Sequence, residues 1–119
     1  MLNKILLYAR DPQQTSAFYQ RYFGFAVDAD DGDGIIELAL AEGGAHLLIH
    51  QAAKSVKLGQ VGVKLVFDVQ DIEAFKARSS ALGLSFGSTH QADGYAFANA
   101  KDPDQNPVSI SSRAFRTRA

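Results

Sequence analysis

The chain repeats itself once, and this repeat restricts the folds that are open to it. Lys4 is followed by a strand-like run that ends at Asp11, and Lys64 is followed by a similar run that ends at Asp71. The two copies lie half of the 119-residue chain apart. After each Asp comes a helical segment, and after that come short apolar runs separated by turn residues. The pattern predicts two copies of one βαβββ unit.

Each predicted helix begins at the repeated Asp and ends at a glycine. Asp11-Pro12 is a helix start signal, and Gly24 suits the position just past the helix end, where a positive φ is needed. Asp71 can cap the second helix and Gly83 can end it. The apolar stripes predicted to face the sheets are Ala17, Phe18, Tyr22 and Phe23 in the first helix, and Ile72, Phe75, Ala81 and Leu82 in the second.

The remaining segments are predicted to be short strands, at residues 25–28, 35–40 and 45–50 in the first half and 84–89, 95–100 and 108–112 in the second. The predicted fold class is therefore α+β, with two tandem βαβββ modules that form curved mixed sheets around a groove. We expect a single domain over residues 1–119, with module 1 at about 1–52, a linker at about 51–60 and module 2 at about 61–113.

Alternation along the strands separates two faces of each predicted sheet. The apolar set predicted to lie under the helices is Ile5, Leu7, Leu47, Ile49, Leu65, Phe67, Val108 and Ile110. The opposite face then carries Lys4, Leu6, Tyr8, His46, Leu48, His50, Lys64, Val66, Asp68, Ser109 and Ser111. This second face is either the solvent side of a sheet or the wall of a small-molecule groove. The apolar residues on it favour the groove.

Composition excludes several function classes. The chain has no cysteine, which excludes disulfides, thiol catalysis and zinc–thiolate sites. Its net charge of -1 gives no strong field for nucleic acid or an anionic membrane. No apolar run approaches the roughly 18–20 residues of a membrane span, and no signal-peptide pattern opens the sequence. We therefore expect a cytoplasmic protein without a nucleic-acid or membrane partner.

Two motifs within this repeat resemble a known family. Asp11 with the run from Phe18 to Phe25 is similar to a D…FY…LGF signature, and the segment 102–107 is similar to a D-P-D-G-N-P turn. Both belong to the vicinal oxygen chelate superfamily, which includes glyoxalase I, bleomycin-resistance and fosfomycin-resistance proteins and extradiol dioxygenases. The βαβββ repeat agrees with this resemblance. One departure is Gln105, where that turn usually has glycine, so a reshaped turn is expected.

The resemblance also implies where metal ligands would lie. The family's first-strand ligand is typically His, and these positions hold Lys4 and Lys64 here. The last-strand ligand of the second half is typically Glu and corresponds to Ser109. A gapless comparison with glyoxalase I places its first-half counterpart at His46. An ammonium group has no lone pair for a metal, so the resemblance together with these residues predicts no metal and no other cofactor. A pair formed by His46 and His50 is a weaker alternative, since such histidines are more often ordinary groove or surface residues.

The predicted site binds a small molecule instead. Lys4 and Lys64 are expected to face one cavity and attract an anion, although either lysine could instead reach solvent or pair with an acid such as Asp68. Tyr95, Tyr8 and Phe97 are candidates for stacking a planar ligand, while Phe97 could equally be core. The predicted ligand-binding set is Lys4, Leu6, Tyr8, His46, Leu48, His50, Lys64, Val66, Tyr95 and Ser109.

Three function classes remain at this point. No catalytic residue is evident, which favours a metal-independent binding protein of the bleomycin-resistance type that sequesters its ligand. The alternatives are a metal-free enzyme with Lys4 or Lys64 as base, and a metal-dependent lyase or dioxygenase, against which the ligand positions argue. The family resemblance, together with the exposed edges of two small sheets, also implies a homodimer.

Overall fold

The order strand–helix–strand–strand–strand occurs twice in the computed structural model, which describes residues 1–30, 32–60 and 62–116. The first copy contains β1 (Lys4–Ala9), α1 (Pro12–Phe23), β2 (Ala26–Asp30), β3 (Ile35–Ala39) and β4 (His46–Gln51). The second contains β5 (Leu65–Asp68), α2 (Ile72–Ala81), β6 (His90–Gln91), β7 (Ala96–Lys101) and β8 (Pro107–Ser111), and a 3₁₀ turn follows at Arg113–Phe115. The predicted α+β class with two similar modules is confirmed.

The two copies form two four-stranded mixed sheets with the same topology. The strand order is β1-β4-β3-β2 in the first sheet and β5-β8-β7-β6 in the second. In each sheet the first strand pairs in parallel with the last strand of its copy, and the other pairs are antiparallel. The chain divides into two compact units between residues 61 and 62, and residues 103–105 group with the first unit. These are called unit 1 and unit 2 below.

The helix ends follow the sequence signals. The Asp11 carboxylate accepts hydrogen bonds from the backbone N–H groups of Gln13 and Gln14, which would otherwise lack partners at the start of α1. Gly24, with φ 76°, ends α1 in the left-handed region. Asp71 caps α2 by accepting from the N–H of Ala74. None of the helices in the described residues is long and apolar enough to cross a membrane.

The predicted alternation of faces is seen in β1, β4 and β5 but not in β8. Helix α1 packs against β1, β3 and β4. Leu47 and Ile49 of β4 are buried at 3% and 0% exposure, while their neighbours on the strand are more exposed. In unit 2, Val108 and Ile110 of β8 are also fully buried, but Ser109 and Ser111, which were predicted to lie on the opposite face, are buried as well. In unit 1 one face of the sheet therefore contributes the core, and the other face lies away from the helix.

The predicted helix stripes are partly wrong. In α1 the buried residues are Thr15, Ser16, Phe18 and Tyr19, and Ala17 is exposed. In α2 they are Ile72 and Ser79, and Ala81 and Leu82 are exposed. The small polar residues Thr15, Ser16 and Ser79 complete the inward faces at helical spacing. A helix face predicted from hydrophobic residues alone is therefore rotated about the helix axis relative to the face that is buried in the structure.

The predicted strand at 84–89 is also wrong, because β6 comprises only His90–Gln91. Phe86 contacts Phe75 of α2, with ring centroids 6.0 Å apart. One backbone hydrogen bond, from the N–H of Gly87 to the carbonyl of Asn99, links this segment to β7 at 2.9 Å. The apolar character that suggested a strand instead serves packing on the helix.

The turn at 102–107 keeps the backbone that glycine would adopt. Gln105 has φ 68°, the left-handed region in which a non-glycine residue is uncommon. A Cβ built on Gly59, itself at φ 74°, would lie 2.7 Å from Cβ of Gln105. The missing side chain of Gly59 therefore leaves room for Gln105.

Candidate functional site

The face of unit 1 that lies away from α1 brings six of the predicted residues together. The register pairs Lys4 with His46, Leu6 with Leu48 and Tyr8 with His50, so these side chains form three rows across β1 and β4. Leu6 is 41% exposed and Tyr8 is 48% exposed. The Tyr8 ring meets the His50 ring edge-on, with centroids 5.6 Å apart. We call this surface the open face of unit 1.

Glu37 of β3 connects the charged end of the open face. Its Oε2 accepts a hydrogen bond from Lys4 Nζ at 2.8 Å, and His46 Nδ1 lies 2.6 Å from the same oxygen. These hydrogen bonds, the one from Lys4 first, hold the pKa of Glu37 below its usual value. An ionised carboxylate only accepts, so His46 carries its hydrogen on Nδ1 and its Nε2 is directed elsewhere.

Asp28 joins this cluster because of a β-bulge. The register between β2 and β3 shifts between Val27 and Ala29, which leaves Asp28 as the extra residue. One ligand atom each from Asp28, Glu37 and His46 lies within 4.8 Å of the others. The open face thus ends in two carboxylates, one imidazole and the Lys4 ammonium group, which we call the charged cluster.

The second histidine of β4 is also held in one tautomer. His50 Nδ1 lies 2.8 Å from the carbonyl oxygen of Gln51, which can only accept, so Nδ1 is the donor. Its Nε2 accepts hydrogen bonds when the ring is neutral. The open face therefore offers an imidazole acceptor beside the Tyr8 ring.

Unit 2 has a matching lysine contact with a different charge. Lys64 Nζ donates to the Asn99 side-chain oxygen at 3.0 Å. Within their sheets Glu37 pairs with Leu48 and Asn99 pairs with Ser109, so the register makes Asn99 the counterpart of Glu37 and Ser109 the counterpart of Leu48. Lys4 therefore contacts a carboxylate, whereas the equivalent contact of Lys64 is a neutral amide.

The other predicted residues of unit 2 differ in accessibility. Val66 is 59% exposed, whereas Ser109 is 3% exposed and its hydroxyl donates to the carbonyl of Ala98 at 3.1 Å. The Tyr95 ring has the guanidinium carbons of Arg113 and Arg116 at 5.1 and 5.7 Å from its centroid. Phe97 stacks on His90 at 5.0 Å. The faces of both aromatic residues thus already have neighbours within unit 2.

The residues at the family's metal positions do not fit a metal. Lys4 and Lys64 present ammonium groups that donate to Glu37 and Asn99, and the Ser109 hydroxyl is buried on a backbone carbonyl. By register, the counterpart of Ser109 in unit 1 is Leu48, which offers no ligand atom, and His46 is two residues earlier. Whether the last-strand position of unit 1 is assigned to Leu48 or to His46, the four residues together offer too few lone pairs to hold a divalent cation.

Sequence reasoning missed Glu37, Asp28 and Asn99. Glu37 has a local signal, because it lies between apolar residues in the predicted strand 35–40 and so alternates with the buried Ile36 and Leu38. Asp28 has none, since only the bulge directs it to the charged cluster.

Replacing Lys4 with Met should raise the pKa of Glu37 towards its ordinary value of 4.5, because the largest cause of its lowering is removed. The measurement is a carbon-detected NMR titration of the Glu37 carboxyl in the presence of EDTA. Lys64→Met is the matched control and should leave Glu37 unchanged. An unaltered Glu37 titration in Lys4→Met would contradict the contact.

The sign of the pH effect on stability follows from the same contact. A carboxyl with a lowered pKa in the folded chain contributes stability that is present above the unfolded value and lost as the pH falls through the folded one. The difference in unfolding free energy between wild type and Lys4→Met should therefore shrink as the pH falls below about 4.5.

Comparison with known proteins identifies one family. Residues 1–110 match the sequence model of the Glyoxalase/Bleomycin resistance protein/Dioxygenase superfamily. No curated protein sequence matches significantly.

Solved structures with this fold have diverse descriptions. An antibiotic binding protein, TnmS3 from Streptomyces sp. CB03234, has TM-score 0.78 and 19% identity, covering 92% of this chain and 93% of its own. Lactoylglutathione lyase from Agrobacterium tumefaciens has TM-score 0.73 and 22% identity, covering 93% and 92%. The fosfomycin resistance protein FosX from Listeria monocytogenes, complexed with Mn(II) and a dihydroxypropylphosphonic acid, has TM-score 0.71 and 15% identity, covering 94% and 88%. At these identities the likeness shows the fold.

Proposed function

Because the chain belongs to the Glyoxalase/Bleomycin resistance protein/Dioxygenase superfamily, we propose that it is a metal-independent member that binds a small organic molecule on the open face of unit 1. The observation that carries the proposal is the exposure of Leu6 and Tyr8 there, at 41% and 48%. An apolar and aromatic surface bordered by a few directed polar groups is typical of small-molecule sites. Binding of a ligand needs no catalytic group, and a solved structure with this fold is an antibiotic binding protein.

The side chains of the open face favour a planar ligand. Tyr8 presents one flat surface, and its edge-on contact with His50 holds the pair at 5.6 Å. Aromatic faces attract other flat groups through offset or edge contacts. The His50 imidazole beside it supplies a hydrogen-bonding edge that can orient such a ligand.

Of the two lysines, Lys64 in unit 2 is the better candidate for attracting an anionic group. Glu37 already compensates the Lys4 ammonium, while the amide of Asn99 brings no charge to Lys64. Among the residues that the structure describes, Lys64 takes part in no ion pair. Its uncompensated charge would attract a carboxylate or phosphate as a point charge.

The proposal includes the setting in which the protein acts. We propose a cytoplasmic homodimer whose partners are small molecules and not nucleic acids or membranes. The near-neutral net charge of -1 and the absence of cysteine agree with it. The edge strands of two small sheets give such a dimer surfaces for pairing.

A thermal-shift screen in EDTA tests the binding function. Flat aromatic carboxylates are compared with their neutral primary amides at equal concentration. A true ligand at a hundred times its Kd stabilises the folded chain by about 2.7 kcal/mol, and no added metal should be needed. Tyr8→Ala should remove the shift for both classes of compound.

Leu82→Ala is the matched control, because Leu82 is an exposed apolar residue, at 53%, just after α2. It should keep the full shift. A shift that appears only after a divalent metal is added, or that survives Tyr8→Ala unchanged, would refute binding as proposed.

The contact between Glu37 and His46 favours a second candidate, an enzyme of the same superfamily. A carboxylate that holds Nδ1–H of an imidazole leaves Nε2 as a base, the arrangement used in general base catalysis. Lys4 and Lys64 act as hydrogen-bond donors in the structure, so His46 replaces them as the candidate base. Conversion of a screen compound that stops in His46→Ala would distinguish this enzyme from the binding protein.

A further inference from the structure

We propose that the charged cluster is a divalent-cation site that the Lys4 ammonium group closes. The inference goes beyond the binding function, since it concerns Asp28, Glu37 and His46 rather than the apolar part of the open face. Lys4 contributes a tethered positive charge where a metal ion would otherwise lie. Its removal should turn a metal-free chain into a metal-binding one.

The three potential ligands have suitable chemistry. Two carboxylates and one imidazole form a donor set that zinc and cobalt accept. Their ligand atoms already lie within 4.8 Å of one another. Atoms that share one zinc at about 2.0–2.2 Å from each ligand lie roughly 3–4 Å apart, so the cluster needs to contract by about 1 Å. Asp28 is exposed and His46 is only partly buried, so side-chain rotation can supply this movement.

The position of Lys4 indicates that the cluster selects a cation. Its Nζ donates to Glu37 Oε2, the same oxygen that His46 Nδ1 contacts, so the ammonium competes for the atom a metal would use. Among the residues that the structure describes, Lys4 supplies the lysine or arginine nitrogen that forms an ion pair with this cluster. Without it, two carboxylates and one imidazole lie close together with no lysine or arginine charge beside them in the described residues. A divalent ion would then relieve their repulsion.

The site differs from the family's metal position. Asp28 and Glu37 lie on β2 and β3, the two strands that contribute none of the positions that the resemblance assigns to metal ligands. Lys4 and His46 do occupy assigned positions. The Lys4 ammonium group cannot bind a metal, but it pairs with the Glu37 carboxylate and so supplies the positive charge that a metal ion would bring.

Unit 2 offers a matched control within the same chain. Lys64 makes the register-equivalent contact, but its partner is the neutral amide of Asn99. Lys64→Met removes the same charge from the equivalent position and leaves no carboxylate behind. It should create no cation site.

The experiment titrates Co²⁺ and Zn²⁺, each alone, into metal-free wild type, Lys4→Met, Lys64→Met and Lys4→Arg. We expect Lys4→Met to bind one ion per chain at least tenfold more tightly than wild type. Lys4→Arg retains the charge, and Lys64→Met leaves Lys4 in place within the charged cluster, so both should behave as wild type. The Co²⁺ complex of Lys4→Met should show visible d–d absorption. His46→Ala in the Lys4→Met background should weaken binding at least tenfold.

Each outcome decides the proposal. Equal affinity in wild type and Lys4→Met, equal gains in Lys64→Met, or binding that persists without His46 would overturn it. Far-ultraviolet circular dichroism in EDTA establishes that each variant is folded. If Lys4→Met does not fold, Lys4→Gln removes the same charge with a polar side chain and must show the same gain.

Discussion

Tyr19→Ala should lower the free energy of unfolding by about 3–5 kcal/mol, the usual cost of removing a large buried aromatic side chain. Tyr19 is 0% exposed and lies among aromatic rings of its own unit, with its ring centroid 5.1 Å from that of Phe18 and 6.2 Å from that of Phe25. The truncation leaves a cavity between α1 and the sheet that its neighbours can fill only in part. Urea denaturation monitored by circular dichroism measures the loss.

Tyr8→Ala is the matched control for this prediction. It makes the same substitution in the same unit, at a residue that is 48% exposed on the open face. Its cost should stay below about 1 kcal/mol, because few packing contacts are lost. Comparable losses in the two variants would show that Tyr19 is not a central core residue.

Asp104→Ala should lower the free energy of unfolding by about 3 kcal/mol, because a buried hydroxyl and a partly buried backbone N–H lose a charged acceptor. The Asp104 carboxylate, 6% exposed, accepts from the Arg10 backbone N–H at 3.0 Å and from the Thr15 hydroxyl at 2.5 Å. Thr15 is itself 1% exposed, so solvent cannot readily replace the lost partner. The substitution releases the turn at 103–105 from the start of α1.

Two further substitutions define the cause of that loss. Asp104→Asn keeps one oxygen acceptor and should give an intermediate cost. Asp68→Ala removes an exposed carboxylate from β5 and should change stability by no more than about 0.5 kcal/mol. An Asp104→Ala chain as stable as wild type would mean that the two donors find other partners.

Periodicity accounts for what the sequence predicted correctly. The alternation of Leu47 with Leu48 is a local property of a strand and survives in the fold, whereas in β8 the predicted outward residues Ser109 and Ser111 are buried as well. The repeat of the segment that begins at Lys4 in the segment that begins at Lys64 predicted both modules, because it is also visible directly in the sequence. The rotation of α1 was not predictable in this way, because burial of Thr15 depends on its hydroxyl meeting Asp104, far along the chain.

The site was predictable only one residue at a time. Alternation placed Lys4, Leu6 and Tyr8 on one face, but the partner of Lys4 depends on the register among β1, β4 and β3. A parallel pair such as β1 and β4 is joined by a long connection, so no turn sets its register locally. Glu37, and the different partner Asn99 in unit 2, therefore became apparent only in the assembled sheets.

The grouping of residues 103–105 with unit 1 has a consequence for how the chain is made. Arg10 and Thr15 are synthesised early, but the carboxylate that both contact is added roughly 90 residues later. At the usual rate of roughly 5–20 residues per second, the growing chain waits about 4–18 s for that acceptor. Throughout this interval the Arg10 N–H group and the Thr15 hydroxyl lack their carboxylate. Completion of unit 1 on the ribosome thus depends on the synthesis of residues 103–105, and a chain that stalls before them would expose an unfinished first unit to proteases and chaperones.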